Sequence, residues 1–590
     1  MARTGADDWS TRTFLDSMIT REAILAAALT ESLLSTIASV SYEETDQLAE
    51  VLAELHDDGT LDLLEVFRSD QLPAADPTFF RFQQVFCLTL PLIRCSVAEA
   101  AATCEVLFDK AGNDLAAGQV YDALVNWLQL SPSRSAEGLM FVRSDLDKQT
   151  GITRHVLVAG AAHDPEKYAE EALDLSRQPQ PHIRQDALLA LGRIAPEDDG
   201  SILDRITERL EQVIESPGSD RDAACAVGAA LQLLDRFGER LVPVVEPLLI
   251  KACTNPQPMT CQAITVGLHG GHSSYTEAMI DASFSAMQHV DGDAPVTIQF
   301  IDVILSQWDL DGDRQRVLRL LRYLLGNRDN SIDLEALGSF RHKLTNGPAD
   351  LLGWYVVSLL LAGDHRLSLV ACRLLPHNEA PAGLDIDLTE FALDPAWVPF
   401  LARKILGYCL AHKAGASALL LSCLRAASDE NRADVEALIW SYFLLNYPGE
   451  IEWLEGAISA DDPAEVSVKR LSSSLARYLE GLQRTGLCSA FQPSARDRLM
   501  QVHRQNDLAR TIWKEAQERS VMSQLVHRSV LLYGSGSVYY VPADEGSDPQ
   551  RQEMPLASFQ QEIDMPRLEA LDPVGLQNTI LRFRSEAPPK

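Results

Sequence analysis

Leu48, Val51, Leu52 and Leu55 set the pattern that runs through most of this chain: apolar residues at steps of three and four, with polar turns between. Such spacing lines one face of an α-helix. The stretches "TRTFLDSMITREAILAAALTESLLSTIASV" (11–40), "YEETDQLAEVLAELHDD" (42–58), "GTLDLLEVFRSD" (59–70) and "PTFFRFQQVFCLTLPLIRCS" (77–96) are predicted to be amphipathic helices. In "SVAEAAATCEVLFDKAG" (96–112), Ser96 stands at an N-cap with Glu99 three residues on, which predicts a capping box. Beyond residue 390, "WVPFLARKILGYCLA", "SALLLSCLRAAS" and "ENRADVEALIWSYFLLN" continue the alternation, the last ending before Pro448-Gly449.

Between 150 and 290 the helices become self-similar. "PHIRQDALLALGRIAP" (181–196), "SDRDAACAVGAALQLL" (219–234) and "PMTCQAITVGLHGG" (258–271) can be laid on one another with Gly192, Gly228 and Gly267 in register, 36 and 39 residues apart. Ala187, Ala223 and Ala263 let neighbouring helices approach, and "DRITERLEQVIES" and "ERLVPVVEPLLIKACT" supply the partner helices. These lines resemble HEAT repeats, with Arg184 near the start of the pattern, and "GDHRLSLVACRLLP" is a fainter match through Arg366 and Ala371. The resemblance implies an all-α fold, an α-solenoid of HEAT-like repeats. It divides the chain into an N-terminal helical segment (1–150), HEAT-like repeats (151–375), continuing helical repeats (376–489) and a different C-terminal part (490–590).

That last part combines a long helix, "PSARDRLMQVHRQNDLARTIWKEAQERSVMSQLV", with "RSVLLYGSGSVYYVPADEG". The β-prone "SVLLY" and "SVYYV" flank Gly534-Ser535-Gly536 and predict a small module containing a β-hairpin. The Pro- and Asp-punctuated residues after it read as loop wrapping over the final helices.

Composition sharpens this picture. The hydrophobic share is 46%, ample for packed cores, and Leu and Ala, which favour helix, carry most of it. With 51 Lys and Arg against 84 Asp and Glu, the formal charge is −33, which disfavours nucleic-acid binding along the whole length. Ten cysteines sit mostly within helical patterns with no C-x-x-C pair, as expected of a reduced, cytoplasmic protein. The first residues place acids where a signal peptide needs an apolar core. The longest apolar run, "LLGWYVVSLLLAG", is too short to span a bilayer, so no membrane segment is expected.

Candidate chemistry is sparse. His269-Gly270-Gly271-His272 is similar to the oxyanion loop of esterases, but that loop needs a G-x-S-x-G elbow and the chain has none. As metal ligands His269 and His272 would need further donors, the nearest being Cys261 and Glu277. The plainer expectation is a bend: Gly270 and Gly271 end a helix in left-handed geometry, and Ser273 or Ser274 caps the next. Asp309, Asp311 and Asp313 alternate as in a calcium loop, yet Arg314 and Leu320 stand where that loop needs Gly and Glu, so the acids are expected to cap the following helix. That helix carries Arg314, Arg316, Arg319 and Arg322. A second basic island at 494–528 sets seven Arg or Lys, including Arg504, Arg510, Lys514 and Arg519, against four acids. Both islands are candidate contacts for a partner or for phosphate.

The resemblance implies a non-catalytic scaffold or adaptor that binds a protein partner on its solenoid surface or C-terminal module. One rival is a solenoid holding nucleic acid on its basic stripes. The other is a HEAT-like lyase or hydrolase using the His269/His272 turn, since repeats such as "IRQDALLALGRI" also resemble those of phycobilin lyase-like proteins. No cofactor is called for by any motif.

Overall fold

The structure is a computed structural model that describes the chain apart from residues 1–19, 30–32, 73–76, 113–114, 148–150, 195–199, 272–273, 328–331, 376–382, 487, 489–492, 519–527, 533–535, 542–549, 556–564 and 590. It is all-α in its bulk. The chain divides into two compact units, Met1–Trp308 with Asp329–Leu337, and Asp309–Arg328 with Gly338–Lys590. This division falls inside the 151–375 stretch drawn from the sequence.

The first unit opens with α1 (Arg21–Leu29), α2 (Leu33–Ser39), α3 (Thr45–Asp57), α4 (Leu63–Arg68), α5 (Pro77–Thr89), α6 (Val97–Ala111), α7 (Gln119–Gln129) and α8 (Pro132–Ser144). It continues with α9 (Thr153–Ala161), α10 (Pro165–Leu175), α11 (Pro181–Ile194), α12 (Gly200–Glu215), α13 (Asp220–Phe237), α14 (Val242–Cys253), α15 (Pro258–Gly271), α16 (Glu277–Met287) and α17 (Pro295–Gln307). Helix α6 starts at the predicted box: the Ser96 hydroxyl accepts from Glu99 N–H while the Glu99 carboxylate accepts from Ser96 N–H.

Each helix packs chiefly on its chain neighbours and on the helix two places along. The odd-numbered helices from α3 to α17 form one continuous layer, while α10, α12, α14 and α16 form part of a second. Neither layer could bury its apolar stripe alone, so successive helices share one core.

The tightest step is α11 on α13 and α13 on α15, where small residues do the spacing. On α13, Ala226, Ala229 and Ala230 are buried, and on α11 so are Ala187 and Ala190. A Cβ at Gly192 would lie 2.8 Å from both the Cα and the carbonyl oxygen of Ala229, so this glycine sets the backbone approach. At Gly267 the added atom would collide with Leu231, whereas at Gly228 it would meet only Leu189 Cδ2, 3.7 Å away.

Carboxylates join the same steps. Asp222, on α13, accepts from Arg184 at 2.8 Å and from Gln185 at 2.9 Å, both on α11. Asp220 accepts from the Met259 and Thr260 N–H groups at 2.8 and 3.0 Å, satisfying free donors at the start of α15.

The second unit holds α18 (Arg314–Gly326), α19 (Gly338–Thr345), α20 (Ala349–Leu361), α21 (His365–Leu374), α22 (Trp397–Tyr408), α23 (Lys413–Ala426), α24 (Arg432–Leu438), α25 (Glu450–Gly456) and α26 (Glu465–Gly486). The long apolar run falls on α20, which is buried at every residue from Leu351 to Leu360 and packs on α18, α19, α21 and α22. It is a core helix, and no helix among the described residues is long and apolar enough to cross a membrane.

The C-terminal part comprises α27 (Ala495–Glu518), strands β1 (Arg528–Leu532), β2 (Gly536–Val541) and β3 (Gln550–Pro555), and helices α28 (Arg567–Leu571) and α29 (Pro573–Ser585). The strands pair antiparallel in the order β1-β2-β3, with Val530 opposite Val538 and Tyr539 opposite Gln552. The residues between β1 and β2 lie outside the described set. Strand β3 falls where the sequence pattern reads as loop; "QRQEMP" lacks β-branched residues and pairs because β2 offers it an open edge.

Candidate interaction surface

Helix α15 runs through Gly270 to Gly271, and Gly270 does not take the left-handed conformation expected of it. The next helix is capped by Thr276, whose hydroxyl accepts from Met279 N–H, rather than by Ser273 or Ser274. Two glycines weaken a helix but do not end it while its apolar face, here Ile264 and Leu268, is still packed. His269 is half-buried in the last turn, its ring centred 5.5 Å from that of Phe300 on α17. Its Nδ1 meets no hydrogen-bond partner among the described residues. His272 lies outside them. Cys261 turns its thiol to the Ala286 carbonyl at 3.3 Å, away from any ligand role beside His269. Among the described residues no three His, Cys, Asp or Glu side chains gather as a metal would require.

The arginines of α18 are largely engaged inside their own unit. Arg314 donates to Asp311 at 2.7 Å and Glu390 at 3.2 Å, and its guanidinium lies 5.6 Å from the Trp354 ring centre. Arg316 pairs with Asp313 at 2.5 Å, and Arg322 donates to the Ser358 carbonyl at 2.9 Å. Arg319 is exposed. The acidic run ahead of the helix is divided in its duties. Asp309 accepts from the Gly312 and Asp311 N–H groups at 3.0 and 3.1 Å, bonds that hold its carboxyl below the usual range. Asp313 occupies the N-cap position without capping, since its carboxylate is taken by Arg316.

Helix α27 presents a different surface. Its N-terminus is closed by Ser494, whose hydroxyl accepts from Asp497 N–H, while the Asp497 carboxylate accepts from Ser494 N–H. Of its described side chains only Leu508 is half-buried; the rest are exposed, Arg504, Arg510 and Lys514 among them. Arg519 lies outside the described residues. The same helix exposes Leu499 (60%), Val502 (51%) and Trp513 (74%). Large apolar residues in such number on one free helix mark a surface that gains by being covered. Their signal in the sequence is the spacing of Leu499, Val502, Ala509 and Trp513, which the charge pattern does not carry.

A second arrangement escaped the sequence pattern. Lys404, on α22, is fully buried and donates to the carbonyl oxygens of Arg584 and Glu586 at 2.8 and 2.7 Å. Burial lowers its pKa, an effect that the nearby Glu586 carboxylate opposes. Arg403 grips Glu586 through two bonds of 2.6 and 2.7 Å, and Arg584 donates to the Gly407 carbonyl at 2.6 Å. The end of α29 is thereby tied to α22, some 180 residues earlier in sequence. Below it, Cys372 Sγ lies 3.1 Å from the Tyr408 carbonyl oxygen, with Cys409 and His412 beside it. Hydrogen bonding from Cys409 and then His412 draws the Cys372 thiol down, while the fully buried Cys409 thiol is pushed up.

Comparison of the chain with protein-family models and with curated proteins finds no match.

Proposed function

We propose that the chain is a HEAT-like α-solenoid acting as a non-catalytic scaffold, and that it binds a protein partner through its C-terminal module. The observation that carries this reading is α27: a 24-residue helix whose described side chains, Leu508 apart, are exposed, Trp513 included. Helices in proteins draw most of their stability from packing, so an amphipathic helix held with a bare apolar stripe is suited to a partner that completes it. The layered helices, each packed on the helix two places along, support the solenoid reading, because stacked pairs with a shared core build an extended platform. The engaged state of Arg314 and Arg316 weighs against a phosphate-binding stripe on α18.

Quantitative affinity capture from native extract, with the full chain and a Trp513→Ala, Leu499→Ala variant in parallel, tests the reading. A stoichiometric protein retained by the parent and lost by the variant is the expected result. Capture of no stoichiometric protein, or equal capture by both, would overturn it.

A further inference from the structure

Leu499, Val502, Asn506, Ala509 and Trp513 recur along α27 at steps of three, four, three and four. That spacing keeps one seam of a helix turned towards a neighbouring helix over successive turns. The same chain shows what such a seam looks like when covered. On α26, Val468, Leu471 and Leu475 follow the identical spacing and are buried, with α26 packed on α25 and on the π-helical segment Ile439–Leu444. On α27 the seam is open.

The charges beside the seam say what fits it. At about 100° per residue, Arg498 and Arg510 stand roughly 60° to either side of the seam centre, with His503 next to Arg510. Among the described side chains, the acids Asp497 and Asp507 lie well round towards the back, and Asp497 is engaged at the N-cap. Arg510 and Asp507 are 3.6 Å apart with both side chains largely exposed, an open pair that a better-placed carboxylate can displace. A second copy of α27 would set arginine and histidine against arginine and histidine, in either orientation. A helix with carboxylates on its flanks would meet cations on both sides.

Resting on the partner-binding reading above, we infer that α27 docks an amphipathic helix of another protein whose apolar stripe is flanked by Asp and Glu. Trp513 is its anchor, since a large exposed aromatic loses most water on contact. Asn506, the one polar residue in the seam, fixes the register by requiring a polar partner opposite.

The test uses the full chain and labelled probe peptides of about three heptads, with Leu on the seam, one central Asn, and either Glu or Lys at every flanking position. Fluorescence anisotropy should show the Glu peptide binding at least about tenfold more tightly than the Lys peptide. Binding should fall by a similar factor in Trp513→Ala and in Arg498→Glu, Arg510→Glu, substitutions on an exposed surface whose retained fold circular dichroism would verify. Equal binding of the two peptides, or no response to the variants, would overturn the inference. So would a duplex DNA probe bound by the parent and lost in the same variants, or a Trp513-dependent dimer in sedimentation. If the Glu peptide fails while a captured partner still requires α27, the acidic-helix inference falls and the scaffold reading stands; if capture fails as well, both fall.

Discussion

At Gly192 an added methyl meets backbone, the Cα and carbonyl oxygen of Ala229 at 2.8 Å, whereas at Gly228 it meets only the end of Leu189 at 3.7 Å. Backbone cannot swing aside, so α11 and α13 must part or tilt in Gly192→Ala. The expected cost is about 1–3 kcal/mol. Gly228→Ala should be neutral or stabilising by up to about 1 kcal/mol, because alanine is the better helix former. Urea unfolding of both variants measures this, and equal behaviour of the two would refute the assigned spacing role. Asp222, 1% exposed, is the other decisive residue. Burial pushes its carboxyl up, but the bonds from Arg184 and Gln185 win and hold it below its ordinary value. A carboxylate depressed in the folded state adds stability that is present above its unfolded pKa, about 3.9, and is lost as pH falls through the folded value. Asp222→Ala should therefore cost about 3 kcal/mol near neutrality. The gap between parent and variant should shrink steadily below about pH 4, as unfolding monitored at several pH values would reveal.

Among elements, α29 is held by one buried lysine as well as by its apolar face. The Lys404 amine satisfies two carbonyls, those of Arg584 and Glu586, at a point where the helix has run out of its own donors. Lys404→Met keeps the stem and removes the donor, leaving two carbonyls without it. A loss of about 1–3 kcal/mol from the docking of α29 is expected. Limited trypsin digestion reads it directly: the variant should be cut at Arg582 and Arg584 under conditions in which the parent is spared. Unchanged cleavage would show that Phe583 and Leu576, the buried residues of α29, suffice. This tether was illegible in sequence because a lysine inside "FLARKIL" looks like any helix-surface cation, and its partners lie some 180 residues away. The Ser96–Glu99 box, by contrast, was legible because both halves of it sit within one turn.

For the molecule as a whole, charge sets the outer limit on partners. A chain of formal charge −33 whose Arg314 and Arg316 pair with its own carboxylates should not hold duplex DNA at about 0.15 M salt. A mobility-shift assay is expected to show no complex there; a complex lost on substituting Arg316 and Arg319 would reverse the assignment. Periodicity and composition were enough to determine a chain that is all-α in its bulk and the placing of most helices in the first unit. Each of those follows from local steric and solvation preferences that act over a few residues. Tertiary structure alone decided the rest. The glycine pair after His269 stays helical because packing outweighs propensity, Arg314 reaches Glu390 because the fold brings that carboxylate back from 76 residues away, and Lys404 is buried because α29 returns to cover it. It also decided that α27 is left with its seam uncovered. Which apolar stripe finds a neighbour depends on contacts between residues far apart in the chain, and no local pattern contains that information.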